Sequence, residues 1–139
     1  MSKMTRFQRI AGIGSTVLFS ANLVFHVLIL IGVIDYALVW GGRLKSEAQM
    51  LQFETVSLVL NFIFLVVICV RMNWIRINVP RIAVTVTLWL MAALFLLNTL
   101  GNLASLNSLE TIIFTPVTLV LSVFCGVLAL IKNQKTPFA

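Results

Sequence analysis

The sequence predicts an all-α polytopic membrane protein, an antiparallel bundle of four transmembrane helices with both termini in the cytoplasm. Three observations carry that expectation. Of the 139 residues, 60% are hydrophobic and only 10% are charged, whereas a soluble domain is nearer half apolar and a quarter charged. The mean hydropathy is +1.09, and four apolar runs pass the length of about 18 residues that marks a membrane span. Basic residues flank those runs and collect on one side of them. Once the spans are drawn no soluble region remains, so residues 1–139 read as a single four-helix transmembrane domain.

The first helix is expected at about 9–34. It follows Lys3, Arg6 and Arg9, as a secretory signal would. Its apolar run is longer than a signal core and no small-residue cleavage site follows it, so it reads as a span. The second is expected at about 47–72, opened by Ser46-Glu47-Ala48-Gln49, a capping box in which Ser46 bonds forward and Gln49 bonds back. The third, at about 81–105, enters through Pro80. The fourth, at about 108–131, has Asn107 as its N-cap before Ser108-Leu109-Glu110. Pro116 inside it removes the bond to the Ile112 carbonyl and predicts a kink. Each run crosses roughly 30 Å of hydrocarbon at about 1.5 Å per residue. The short connections make neighbours antiparallel.

Charge sets the expected orientation. Lys3, Arg6, Arg9, Arg71, Arg76, Arg81, Lys132 and Lys135 share one side with no acidic residue. Arg43 and Lys45 share the other with Asp35, Glu47, Glu54 and Glu110. Positive charge stays in the cytoplasm, and Trp74 suits the interface there. The net charge of +6 does not point to nucleic acid, because these residues flank spans and do not form a groove-reading surface. Cys69 and Cys125 lie inside spans without a CxxC pattern and read as small hydrophobes.

Each span carries one polar or small-residue seam at helical spacing. The seams are Ser15, Asn22 and His26; then Glu54, Ser57 and Asn61; then Asn98, Asn102 and Ser105 with Gly101; then Thr111, Thr115, Thr118, Ser122 and Cys125. Lipid offers these groups no partner, so the four seams are expected to face one another. For the hydroxyls the plain reading is helix packing.

The deeper groups are candidate ligand-binding residues: His26, Trp40, Arg43, Glu54, Asn61, Asn98, Asn102 and Thr115, gathered toward the outer half. An ionisable group within a span points to function. Glu54 is therefore the leading candidate, against a salt bridge to Arg43 or Lys45 that ties down the outer loop. His26 has no second histidine or clustered cysteine beside it, so no metal is expected. A bis-histidine haem would need a second subunit, and no cofactor is expected. A hydrogen bond from His26 to Glu54, Asn61 or Asn98 fits better, structural or proton-relaying. Trp40-Gly41-Gly42-Arg43 permits a turn with positive φ. It reads as a lid over the bundle mouth, or as an interfacial tryptophan with a headgroup-binding arginine. Residues 53–61, FETVSLVLN, also parallel residues 114–122, FTPVTLVLS. A duplicated hairpin and chance in an apolar alphabet both explain that likeness.

His26, Trp40-Gly41-Gly42-Arg43-Leu44, Phe53-Glu54-Thr55, the 96–102 run LLNTLGN and Phe114-Thr115-Pro116 together resemble a pattern of small bacterial four-helix integral membrane proteins. The resemblance covers nearly the whole chain. It implies the bacterial inner (cytoplasmic) membrane and carries no activity. The small multidrug transporters do not match, since their glutamate belongs to the first helix. Nor is there the CxxC of quinone-reducing membrane enzymes.

Three functions follow as expectations. The first is an outward-facing pocket that binds or transports a small polar or amphiphilic ligand, with a homodimer if it transports. The second is an accessory, interaction or sensor subunit of a membrane complex. The third is an enzyme acting on a lipid or isoprenoid with His26 and Glu54 as acid and base. No nucleophile or metal pattern supports the third, and no catalytic residue is assigned.

Overall fold

The computed structural model describes residues 4–105, 108 and 110–131, and these are helical with no strand among them. Helix α1 is Arg6–Leu30. It begins a turn earlier than expected because Thr5 and Gln8 form a complete capping box. Thr5 Oγ1 accepts from the Gln8 N–H at 3.1 Å, and Gln8 Oε1 accepts from the Thr5 N–H at 2.9 Å. It ends earlier too, because the chain turns at Gly32, whose φ of +75° glycine adopts without strain.

Helix α2 is Glu47–Arg71. Ser46 Oγ accepts from the Gln49 N–H at 3.2 Å as expected. The Gln49 side chain reaches back one residue further than expected and accepts from the Lys45 N–H at 2.9 Å. Helix α3 is Arg81–Leu103, with Pro80 at its N-cap. The expected fourth helix is divided. A π-helical turn, Glu110–Phe114, precedes helix α4, Thr115–Ala129, which has Pro116 in its first turn. Proline lacks an N–H and crowds the carbonyl four residues back, so the wide turn takes the place of a kink in a continuous helix. Asn107, the expected cap, lies outside the described residues, as do Lys3, Lys132 and Lys135 of the charge pattern.

Four segments, Arg6–Leu30, Glu47–Arg71, Arg81–Leu103 and Thr111–Ala129, are long and apolar enough to cross a membrane. They pack as two pairs, α1 on α2 and α3 on α4, joined where α1 meets α4. Helices α2 and α3 hardly touch. Neighbours run antiparallel. Late α1 meets early α2 at His26 and Glu54, late α3 meets early α4 at Thr99 and Thr118, and early α1 meets late α4 at Gly14 and Phe124. A side chain at Gly14 would collide with the Phe124 ring, so glycine there sets the close approach of α1 and α4.

The main core holds Phe19, Phe64 and Phe95, with ring centroids 5.5 to 6.1 Å apart. Leu88, Met91, Leu121 and Leu128 complete it. At one end Arg71 is buried and turned inward. Its Nε donates to the Leu128 carbonyl at 2.8 Å, and one terminal nitrogen donates to the carbonyls of Ala129 at 3.3 Å and Ile131 at 2.6 Å. The cation thus caps the carbonyl end of α4, where the helix dipole is negative. The sequence reading had assigned Arg71 only to flanking charge.

At the opposite end, the chain between α1 and α2 folds into two 3-10 turns, Tyr36–Leu38 and Trp40–Gly42. Asp35 caps the first, accepting from the Ala37 N–H at 2.9 Å. Ile29, Val39 and Met50 are buried beneath this connection. It therefore has a small core of its own, which holds it against the bundle.

Candidate functional site

Glu54, about two turns into α2, is 0% exposed. An ionised carboxylate buried this way costs several kcal/mol unless its oxygens are bonded and its charge is balanced. Both oxygens have donors in reach. His26 Nδ1 lies 2.6 Å from Oε2, and Trp40 Nε1 donates to Oε1 at 2.6 Å. The second bond requires an unusual backbone. Trp40, Gly41 and Gly42 have φ of 57°, 65° and 67°, three left-handed residues in succession. For a tryptophan that conformation costs about 1–2 kcal/mol, offset here by the bond to Glu54 and by edge packing on Phe53 at 5.1 Å. The two glycines leave the turn free to close.

The network continues inward. Asn61 Nδ2 donates to the Ser57 carbonyl at 2.8 Å, an oxygen that only accepts, and this fixes the way the amide faces. Asn61 Oδ1 accordingly accepts from Asn22 Nδ2 at 2.8 Å. The Asn61 amino group then also faces His26 Nε2 at 3.4 Å, which makes that nitrogen an acceptor. The remaining imidazole proton sits on Nδ1 and donates to Glu54. In this tautomer the imidazole donates through Nδ1 to the Glu54 carboxyl and accepts through Nε2. Among the described residues Glu54 pairs with His26 and forms no ion pair with Arg43 or Lys45, so the expected salt bridge to the outer loop is replaced by an indole and an imidazole.

A cavity of about 620 Å³ adjoins this network, within the usual size of a small-molecule site. All four helices and the 40–44 turn line it. His26, Trp40, Arg43, Glu54, Asn61, Asn98 and Asn102 all reach it. Thr115 does not line it. Its hydroxyl is buried without a hydrogen-bond partner among the described residues, and Thr118, one turn on, lines the wall instead. Asn98 was expected to turn inward with Asn102. It is exposed and still lines the cavity. Asn102 is held by Thr118 at 3.4 Å, and its carbonyl accepts from Thr111 at 3.0 Å.

A second, almost wholly apolar cavity of about 420 Å³ lies between α1 and the start of α4. It shares Asn22, Phe25, Val39, Phe114 and Val117 with the first. The Phe25 and Phe114 rings, 5.1 Å apart, stand between them. Sequence reasoning placed Asn22 on the correct seam without naming it as a site residue. It gave no sign of Phe25 or Phe114, since one phenylalanine among ten in an apolar chain carries no positional signal. Among the described residues no group of three His, Cys, Asp or Glu is placed to hold a metal. Compared with known proteins, the chain matches no family model, no curated protein and no solved structure.

Proposed function

We propose that this chain is a multi-pass membrane protein that binds, and in its finer form transports, a small polar or amphiphilic molecule in the Glu54 cavity. One observation carries the reading. A wholly buried carboxylate, held by Trp40 and His26, forms part of the wall of a cavity of about 620 Å³. Proteins keep such groups inside apolar bundles where a ligand, ion or proton meets them. Excess basic charge puts both termini and the 72–80 connection on the cytoplasmic side, so the cavity faces outward. The resemblance implies the bacterial inner membrane.

The test is thermal unfolding in lipid nanodiscs against amines, carboxylates, zwitterions and neutral polyols. At least one class should stabilise the wild type and lose its effect in Glu54→Gln. Absence of stabilisation by every class would overturn the reading. Cysteines introduced at residues 41 and 75 should label from opposite faces of sealed vesicles, and labelling from the same face would overturn the orientation.

The exposed Asn98 amide beside the α2 and α3 gap favours a second reading, an interaction subunit or homodimer closed along that gap. Crosslinking through residue 98 to a stoichiometric partner, or to a second copy, would support it. A cleanly monomeric protein in mild detergent would remove it.

A further inference from the structure

Resting on the cavity reading above, the geometry points to a single-chain amphiphile with an ammonium head as the ligand class. The head sits in the cavity whose wall covers the buried Glu54, and the chain lies in the apolar cavity beyond Phe25 and Phe114.

The charge of the head follows from the hydrogen-bond pattern. The Ser57 carbonyl fixes Asn61, Asn61 makes His26 Nε2 an acceptor, and His26 is therefore neutral. Trp40 is neutral as well. Glu54 thus has two good hydrogen bonds and no balancing positive charge from either partner. Arg43 lies on the cavity wall but makes no ion pair with Glu54 among the described residues. Its Nε instead lies against the Gly41 backbone, on the exposed lip. A cationic head entering here favours the ionised form of the buried carboxyl, whereas an anionic head opposes it and a neutral head does neither.

The walls suit the same head. Phe25, Trp40, Phe53 and Phe114 line the cavity around Glu54, and aromatic faces attract alkylated ammonium groups with little need for hydrogen bonds. The tail follows from the second cavity. It has hardly any polar lining, and it meets the first at Asn22, Phe25, Val39, Phe114 and Val117. A small hydrophilic cation would leave it unused, whereas an alkyl chain would fill it and pack against its apolar walls.

The experiment uses the full chain in phosphatidylcholine nanodiscs, with empty discs as the partition control. Saturable binding is read from quenching of tryptophan fluorescence and from the shift in Tm. Dodecyltrimethylammonium, below its micellar concentration, is compared with dodecanol and dodecanoate, which have the same chain, and with tetramethylammonium, which has the head alone. The cation should bind at least tenfold more tightly than either equal-chain probe. Its affinity should rise through the butyl, octyl and dodecyl members. In Glu54→Gln the preference over dodecanol should fall to within about twofold. If that variant does not fold, the charge and chain-length series on the wild type still decides. Saturable binding without preference for the cation overturns the ammonium head, and affinity independent of chain length overturns the tail site. Both leave a binding cavity standing. No saturable binding by any probe overturns the cavity reading itself. Competition by lysophosphatidylethanolamine would identify a lipid headgroup as the source of the ammonium, and its failure to compete would identify a free organic cation.

Discussion

The two helix pairs solve one problem differently. Between α3 and α4 the polar groups satisfy one another. Thr99 and Thr118 share a 2.9 Å hydrogen bond, Thr99 also donates to the Phe95 carbonyl at 2.8 Å, and Ser122 donates to the Ala92 carbonyl at 2.8 Å. These are neutral, short-range bonds, most of them to backbone that needs no further charge. Between α1 and α2 the chain joins the buried Glu54 and Asn61 to the partly buried His26 and Asn22 in one connected network around a carboxyl group. The hydroxyl seam is packing, of the kind any helix pair in hydrocarbon uses. A network around a carboxyl group costs more to bury and needs a strained Trp40 turn to complete it. The buried carboxyl of the candidate site therefore belongs to the α1 and α2 pair, and α2 meets α3 little.

The sharpest way to break this contrast is at the far end, where Arg71 ties the pairs together. Arg71→Ala removes the cation from the carbonyls of Leu128, Ala129 and Ile131, and should destabilise the fold by about 3 kcal/mol. Detergent-induced unfolding measures it. Arg71→Lys should recover less than half, since a point charge cannot span three carbonyls. Full recovery with lysine would show that charge alone mattered.

A double-mutant cycle between His26→Ala and Glu54→Gln comes next, with an expected coupling of about 2 kcal/mol. The matching cycle between Thr99→Val and Thr118→Val should give about 0.6 kcal/mol, the usual size for such bonds between membrane helices. Equal coupling in the two cycles would dissolve the distinction between network and seam. The smallest effect is expected at Asn98→Leu. Its exposed amide has no hydrogen bond among the described residues, so stability should move by less than about 0.5 kcal/mol. A large loss would mean that the α2 and α3 gap is covered in the native membrane, as the interaction reading requires.

Much of this architecture was legible from residues alone because hydrocarbon is an undemanding but strict solvent. Length and hydropathy place the spans, and the starts at Glu47 and Arg81 fall where Ser46 and Pro80 put them. The start of α1 was misplaced because Arg6, Phe7 and Gln8 were treated as flank, although Thr5 and Gln8 carry a capping signature. The fourth span divides because Pro116 is accommodated by a π turn, and a proline alone does not say whether the chain bends or widens.

Seam spacing placed His26, Glu54 and Asn61 together correctly, since three- and four-residue steps fix a helix face. It failed for Thr115, while Asn98 reaches the cavity and yet stays exposed. Spacing says which residues share a face and leaves open what that face meets. Arg71 shows the same limit, for a charge at a helix end reads as flank until another helix end stands beside it.

The sequence by itself determined four apolar helices, their order, their short antiparallel connections and the faces that carry polar groups. These are properties of local periodicity and of transfer from water. Only tertiary structure decided which faces meet, that Trp40 rather than Arg43 reaches Glu54, and that α2 and α3 stand apart around a cavity. Those outcomes depend on how side chains from distant segments fill one another's space, and no local pattern encodes that.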